Sequence, residues 1–249
     1  MRVLNTVTLV ILLLPLASLN AVAQQSKTVS PGTDQVSACQ SLFAKREFTR
    51  AIVECKKVAN QGNAFAETAM GILYFGGFGT ERDYKKALEW FMKGAKQGNP
   101  SAEHGLGVIY HDGYGVSVDN KTAFRWFQLA ADKGHVDAQF YVGEMLYLGQ
   151  GTSKNLVQAF KWSKIAAERG SEDAQYNYGA MLYNGDGTKP DPVKGMVWLT
   201  IAAENGSEKA KSAVKPLYAN YPPEVVSKLQ SMAREYLKSP ASSQKPASR

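Results

Sequence analysis

The residues of this 249-residue chain whose types could do chemistry are three histidines, two cysteines, an S-x-x-K spacing and a recurring double glycine. His104 and His111 stand seven apart, hence on one face of a helix, with Glu103 and Asp112 beside them. A helical zinc pair needs histidines four apart, so no metal site is expected, and no cofactor motif is present. His135 follows Gly134, a position suited to capping a helix. Ser212-Ala213-Val214-Lys215 has the nucleophile spacing of penicillin-recognising enzymes, but neither S-D-N nor K-T-G accompanies it. The glycine pairs Gly77/Gly79, Gly113/Gly115, Gly149/Gly151 and Gly185/Gly187 could cradle phosphate only after a strand and before a Lys-Ser/Thr helix. Each follows a helical pattern instead, which makes the glycines helix terminators. No catalytic constellation emerges, and the chain is expected not to be an enzyme.

These residues sit in a repeat. Trp90, Trp126, Trp162 and Trp198 are all the tryptophan present and lie a constant 36 residues apart. A fixed period in this range marks stacked units that bury their apolar faces only against their neighbours. The first half of each unit (AETAMGILYFGGFG at Ala66, AEHGLGVIYHDGYG at Ala102, AQFYVGEMLYLGQG at Ala138, AQYNYGAMLYNGDG at Ala174) carries small or apolar residues at one helical face. Gly71, Gly107, Gly143 and Gly179 fall in the middle of that helix A, where Gly costs about 1 kcal/mol relative to Ala. Their recurrence predicts a backbone contact with a second helix, B, too close for a side chain. Helix B opens at Asp83, Asp119, Asn155 or Asp191 as N-cap and stops at Gly98, Gly134, Gly170 or Gly206. The next helix A follows at once, from Asn99, Ser171 or Ser207, so neighbouring helices run antiparallel.

The chain opens Met1-Arg2, runs apolar from Leu9 to Leu16 and reaches Ala21-Val22-Ala23. This predicts a secretory signal peptide over 1–23, since the apolar run is too short to span a bilayer. Removing Arg2 lowers the formal net charge of +7 by one. Lys and Arg are scattered over every unit, which reads as a solubilising surface, and no nucleic-acid motif accompanies them. Two cysteines, Cys39 and Cys55, in an oxidising compartment point to one disulfide.

The pattern AxxxLGxxYxxGxG followed by DxxKAxxWxxxAAxxG, closest at Ala102 to Gly134, resembles the Sel-one-like repeat (SLR) family, relatives of the tetratricopeptide repeat. The resemblance implies an all-α, right-handed α-solenoid of antiparallel helix pairs whose A helices line a concave, protein-binding side. Repeats are expected at 66–98, 102–134, 138–170 and 174–206, with a disordered lead-in at 24–34 and a disordered tail at 239–249. Residues 35–65 read as a divergent N-terminal pair, in which Cys39 takes the place of Gly107 and Cys55 that of Phe127. A disulfide there would staple the end unit. Residues 207–238 read as C-terminal capping helices.

On the face that the family makes concave, two columns run from unit to unit. One holds Phe75, His111, Tyr147 and Tyr183, the other Thr68, His104, Phe140 and Tyr176, with Glu144 beside them. Tyr-rich surfaces favour binding because each ring brings area and a polar tip, although the same rings could pack between repeats as core. The expected binding residues are Phe75, His104, His111, Phe140, Glu144, Tyr147, Tyr176 and Tyr183. The expected function is that of an exported adaptor or regulator that holds a protein partner of the cell envelope. The alternative, suggested by cysteine-rich SLR relatives linked to β-lactams, is a protein that binds peptidoglycan or β-lactam and hydrolyses it through Ser212.

Overall fold

A computed structural model describes residues 31–238, and the segment read as a signal peptide (1–23), residues 24–30 of the expected lead-in and the tail 239–249 lie outside the described residues. The described chain is wholly helical: α1 (Pro31–Ala44), α2 (Phe48–Ala59), α3 (Ala64–Gly76), α4 (Tyr84–Lys96), α5 (Pro100–Asp112), α6 (Asn120–Asp132), α7 (Val136–Leu148), α8 (Leu156–Glu168), α9 (Glu172–Asn184), α10 (Pro192–Glu204), α11 (Glu208–Ala219) and α12 (Pro223–Lys238). Odd-numbered elements up to α11 are A helices, and α2 to α10 the B helices. Each packs chiefly on its sequence neighbours, so the helices stack into an α-solenoid. Residues 31–34, assigned above to a disordered lead-in, instead form the first turn of α1. Pro31 suits a helix start, and Asp34 places its charge near the positive end of the helix dipole.

The helix ends follow from side-chain chemistry. Asp83, Asp119, Asn155 and Asp191 each accept a first-turn amide of a B helix. Asn63, Asn99, His135, Ser171 and Ser207 do the same for the A helices. The A helices α3 to α9 stop at glycines in the left-handed region, as at Gly113 with φ 75°.

Packing explains the mid-helix glycines. A Cβ on Gly71 would lie 2.5 Å from the Phe91 ring, and one on Gly107 would run into the Phe127 ring. At Gly143 the neighbour is Ser163, and at Gly179 it is the backbone of Leu199, 2.9 Å away. In the N-terminal pair the same crossing is covalent: Cys39 and Cys55 are disulfide-bonded with their Cα atoms 4.8 Å apart. A bridge across a loop of this length adds roughly 3 kcal/mol, a useful increment for an end unit.

Between units lie the tryptophans and a polar ladder. Trp126 of α6 packs against the buried cluster formed by α4 and α5, which includes Phe91, Ala95, Leu106 and Ile109, so its half-buried indole sits at the seam between repeats. Trp198 is covered by α12, whose Leu229 and Ala233 join its cluster and whose Tyr236 ring stands 4.7 Å away. The ladder uses the residue that ends each B helix. Gln97 donates to Glu67 at 2.7 Å, Lys133 pairs with Glu103, Arg169 donates to Gln139 and Asn205 donates to Gln175 at 2.8 Å. Gln97, Lys133 and Arg169 also donate to Gly62, Gly98 and Gly134 carbonyls, closing helix-end acceptors across the repeat seam.

Candidate functional site

The A-helix face carries a groove across the N-terminal half of the solenoid. Its cavity of about 850 Å³ is walled by Phe43, Phe48, Phe75 and Phe78 and floored by Phe91, with Arg46, His104, His135 and Asp137 at its polar edges. Phe48 stacks on Phe78 at 4.8 Å, and Phe43 meets Phe48 edge-on at 6.2 Å, so the wall is a cluster of rings.

Repeat phase explains why the groove opens here. Phe91 and Phe127 occupy equivalent positions, each with a glycine at its back. Over Phe127 lies Tyr141, stacked at 4.4 Å with the rings 3° from parallel, and Phe127 is wholly buried. The residue equivalent to Tyr141 one repeat earlier is Gly105. A Cβ there would come within 2.8 Å of the Phe91 ring, so the Gly105 backbone itself lies on that ring, which is only 3% exposed. The chain thus covers one ring with its own tyrosine and the other with glycine backbone, and a cavity remains where the second tyrosine would stand.

The expected binding residues divide accordingly. Phe75 and His104 line the groove. Phe75 also meets Tyr84 at 5.4 Å and Tyr114 at 5.1 Å. His111 lies beside Tyr141 at 5.6 Å, with its Nδ1 2.5 Å from Asp112. Phe140 and Tyr183 pack against the cluster around Tyr178 and Trp198. Tyr147 packs against the cluster around Phe127 and Met145, and its hydroxyl bonds Asp186 at 3.1 Å. Tyr176 is half-buried on the same face. Thr68, from the second column, is buried and donates to the Ala64 carbonyl. The columns are therefore part surface and part seam. Burial pushes the Glu144 carboxyl above its ordinary range, Lys209 and His111 oppose that shift, and Asp173 reinforces it.

Sequence reasoning passed over Gly105, Tyr141 and the partner of His104. That partner is His135, not His111: the two rings stack at 4.5 Å, 15° from parallel. His135 Nδ1 accepts the Ala138 amide at 3.4 Å as the α7 cap, in the role its position suggested. Asp137, one turn away, completes a trio whose ligand atoms all lie within 4.8 Å of one another. Ser212 and Lys215 stand exposed on α11, a surface that encloses no substrate.

A stack of helix pairs with an aromatic groove and no enclosed reaction chamber around its S-x-x-K pair defines a repeat scaffold of the α-solenoid class. The Sel1 repeat model matches residues 64–99, 100–135, 136–171 and 172–207. The chain belongs to the Sel1 repeat family, whose members act as protein-interaction scaffolds and whose fold is typically non-catalytic. It is similar to a Sel1 repeat protein from Oxalobacter formigenes, with 32% identity over 68% of this chain and 49% of that one, and a TM-score of 0.62. A protective antigen of uropathogenic Escherichia coli with an SLR fold shares 24% identity over 86% of this chain and 54% of its own, at a TM-score of 0.59. An immunity protein of Pseudomonas aeruginosa shares the fold at 17% identity, 84% coverage of both chains and a TM-score of 0.50. The chain spans about half the length of the first two. No curated protein matches it. Among the described residues, no helix is long and apolar enough to cross a membrane.

Proposed function

We propose that this chain is an exported, non-catalytic adaptor or regulator that holds a segment of another cell-envelope protein against its A-helix face. The single observation that carries this reading is the aromatic-lined cavity beside Gly105, at the junction where no tyrosine stands in front of the ring. Where Tyr141 closes Phe127, Gly105 leaves a ring-floored cavity of about 850 Å³, within the size range of ligand sites. An apolar or aromatic side chain of the partner fills it, with the flanking segment running over Phe75, His104 and His111 and on towards Glu144 and Tyr176. The apolar leader and the Cys39–Cys55 bridge support export, because such bridges persist in oxidising compartments.

The test is a crosslinking pull-down from envelope extract with the wild-type chain and Phe78→Asp, which puts a charge on an exposed part of the groove wall. Capture of a defined partner should fall at least about tenfold with the variant, as expected when a hot-spot pocket is disrupted. Equal capture by both would sink the assignment of the groove. Turnover of a chromogenic β-lactam that Ser212→Ala abolishes would replace the adaptor reading with the peptidoglycan or β-lactam alternative.

A further inference from the structure

The polar corner of the groove carries chemistry that a protein-binding scaffold does not need. We infer that His104, His135 and Asp137 form a site for one borderline first-row divalent cation of the zinc class, independently of what fills the apolar part of the groove.

Two imidazoles and one carboxylate are a ligand set that suits such ions, and it is too poor in oxygen for calcium or magnesium. Three protein ligands leave at least one coordination position for water or an incoming donor. The trio lines the groove and is half-buried, so that position is open to the groove. His104 comes from α5, while His135 and Asp137 come from the first turn of α7, and the two helices are held by the repeat seam.

The ligand atoms are near one another, but the stacked rings must part before their in-plane lone pairs converge on one ion. The ligand atoms lie within 4.8 Å of one another, whereas bonds near 2.0–2.1 Å to a tetrahedral ion set them about 3.4 Å apart. Rotation about side-chain bonds brings the three ligand atoms in by that difference. One rearrangement is required at His135. Its Nδ1 accepts the Ala138 amide, which puts the ring proton on Nε2 in the neutral form. An ion bound at Nε2 displaces that proton, the ring then carries its proton on Nδ1, and the cap to Ala138 is given up. At 3.4 Å that cap is long for a hydrogen bond, so giving it up costs little.

His111 is the internal control. It is the remaining histidine, it lies on the same face and it pairs with Asp112, yet it stands outside the trio.

The experiment is calorimetric titration of the chelator-treated full chain with Zn²⁺, with imidazole ¹⁵N shifts recorded in parallel. One ion per chain should bind, and the His104 and His135 nitrogens should move while those of His111 stay put. His104→Ala and Asp137→Asn should each weaken binding by more than about tenfold, and His111→Ala should leave it unchanged. Thermal unfolding of the metal-free variants identifies any change caused by misfolding, and a His104→Gln variant that retains the wild-type midpoint keeps the test open if His104→Ala does not fold. Absence of saturable one-to-one binding, or equal loss with His111→Ala, overturns the site.

Discussion

The seam between the first and second repeats and the seam between the second and third are built on one plan and finished differently. In both, a phenylalanine of a B helix lies against a mid-helix glycine at its back: Phe91 on Gly71, Phe127 on Gly107. At the second seam Tyr141 stacks over the front of the ring, flanked by His104 and His111. At the first, the Gly105 backbone lies on the ring, which is also buried, and a cavity occupies the space beyond it. The close helix crossing is therefore set by a glycine common to the four repeats, and the cavity by one residue in front of the ring that is not. A solenoid can change what it binds without changing how it folds, because the residue in front of the ring is not the one that sets helix spacing.

The comparison is broken most directly by removing each ring. Phe127→Ala should cost about 4 kcal/mol, since the cavity it leaves is closed on both sides. Phe91→Ala should cost at least about 1 kcal/mol less, because the space it leaves joins a groove already open to water. Chemical denaturation of both variants gives the difference. Equal losses would mean that the groove is closed in solution and that the two seams are alike.

Much of the framework was legible in the sequence because it repeats. The 36-residue period placed the helices, the caps at Asp83, Asp119, Asn155 and Asp191, and the glycine at the close A/B crossing. The alignment of Cys39 with Gly107 and Cys55 with Phe127 placed the disulfide at that same crossing. The helix at Pro31 was missed because polar composition weighed more than the proline start signal. The site was less legible, for a physical reason. Whether a ring on one A helix reaches a ring on the preceding B helix depends on the tilt between units, which a period does not encode. Tyr141 thus lay between the two chosen columns while making the central contact. The available signal was a departure from the repeat: Gly105 is a second glycine, two residues before the packing one, at a position held by Ala69, Tyr141 and Asn177 elsewhere. The His104–His135 pair has no sequence template, since the two residues are brought together across a seam from a helix interior and a cap.

A second test asks how far the later repeats are surface at all. Tyr147 and Tyr183 first read as a binding column, whose loss would spare stability. Both pack against buried clusters, and Tyr147 also bonds Asp186 and lies under Lys154 at 5.5 Å. Replacing both with Ala should lower stability by about 2 to 3 kcal/mol, the range for truncating partly buried aromatic side chains. A thermal midpoint within 1 °C or so of wild type would return them to the surface and extend the groove over the whole A face.

The smallest effect concerns charge at the closed seam. Glu144 is half-buried on α7, where burial raises its carboxyl pKa, Lys209 and His111 partly offset the shift, and Asp173 adds to it. A carboxyl whose folded pKa lies above its unfolded value favours the folded state fully below the unfolded pKa, and that contribution is lost as pH rises through the folded pKa. At neutral pH the ionised Glu144 is therefore a modest burden, one that solvent reaching the side chain keeps small. Glu144→Gln should raise the thermal midpoint slightly at pH 7, and the gain should shrink as the pH falls below the folded pKa and the wild-type carboxyl takes up its proton. Midpoints measured from pH 4 to pH 8 read the crossover. A variant less stable than wild type at pH 7 would show that Lys209 and His111 outweigh burial, and that the closed seam is held by charge as well as by stacked rings.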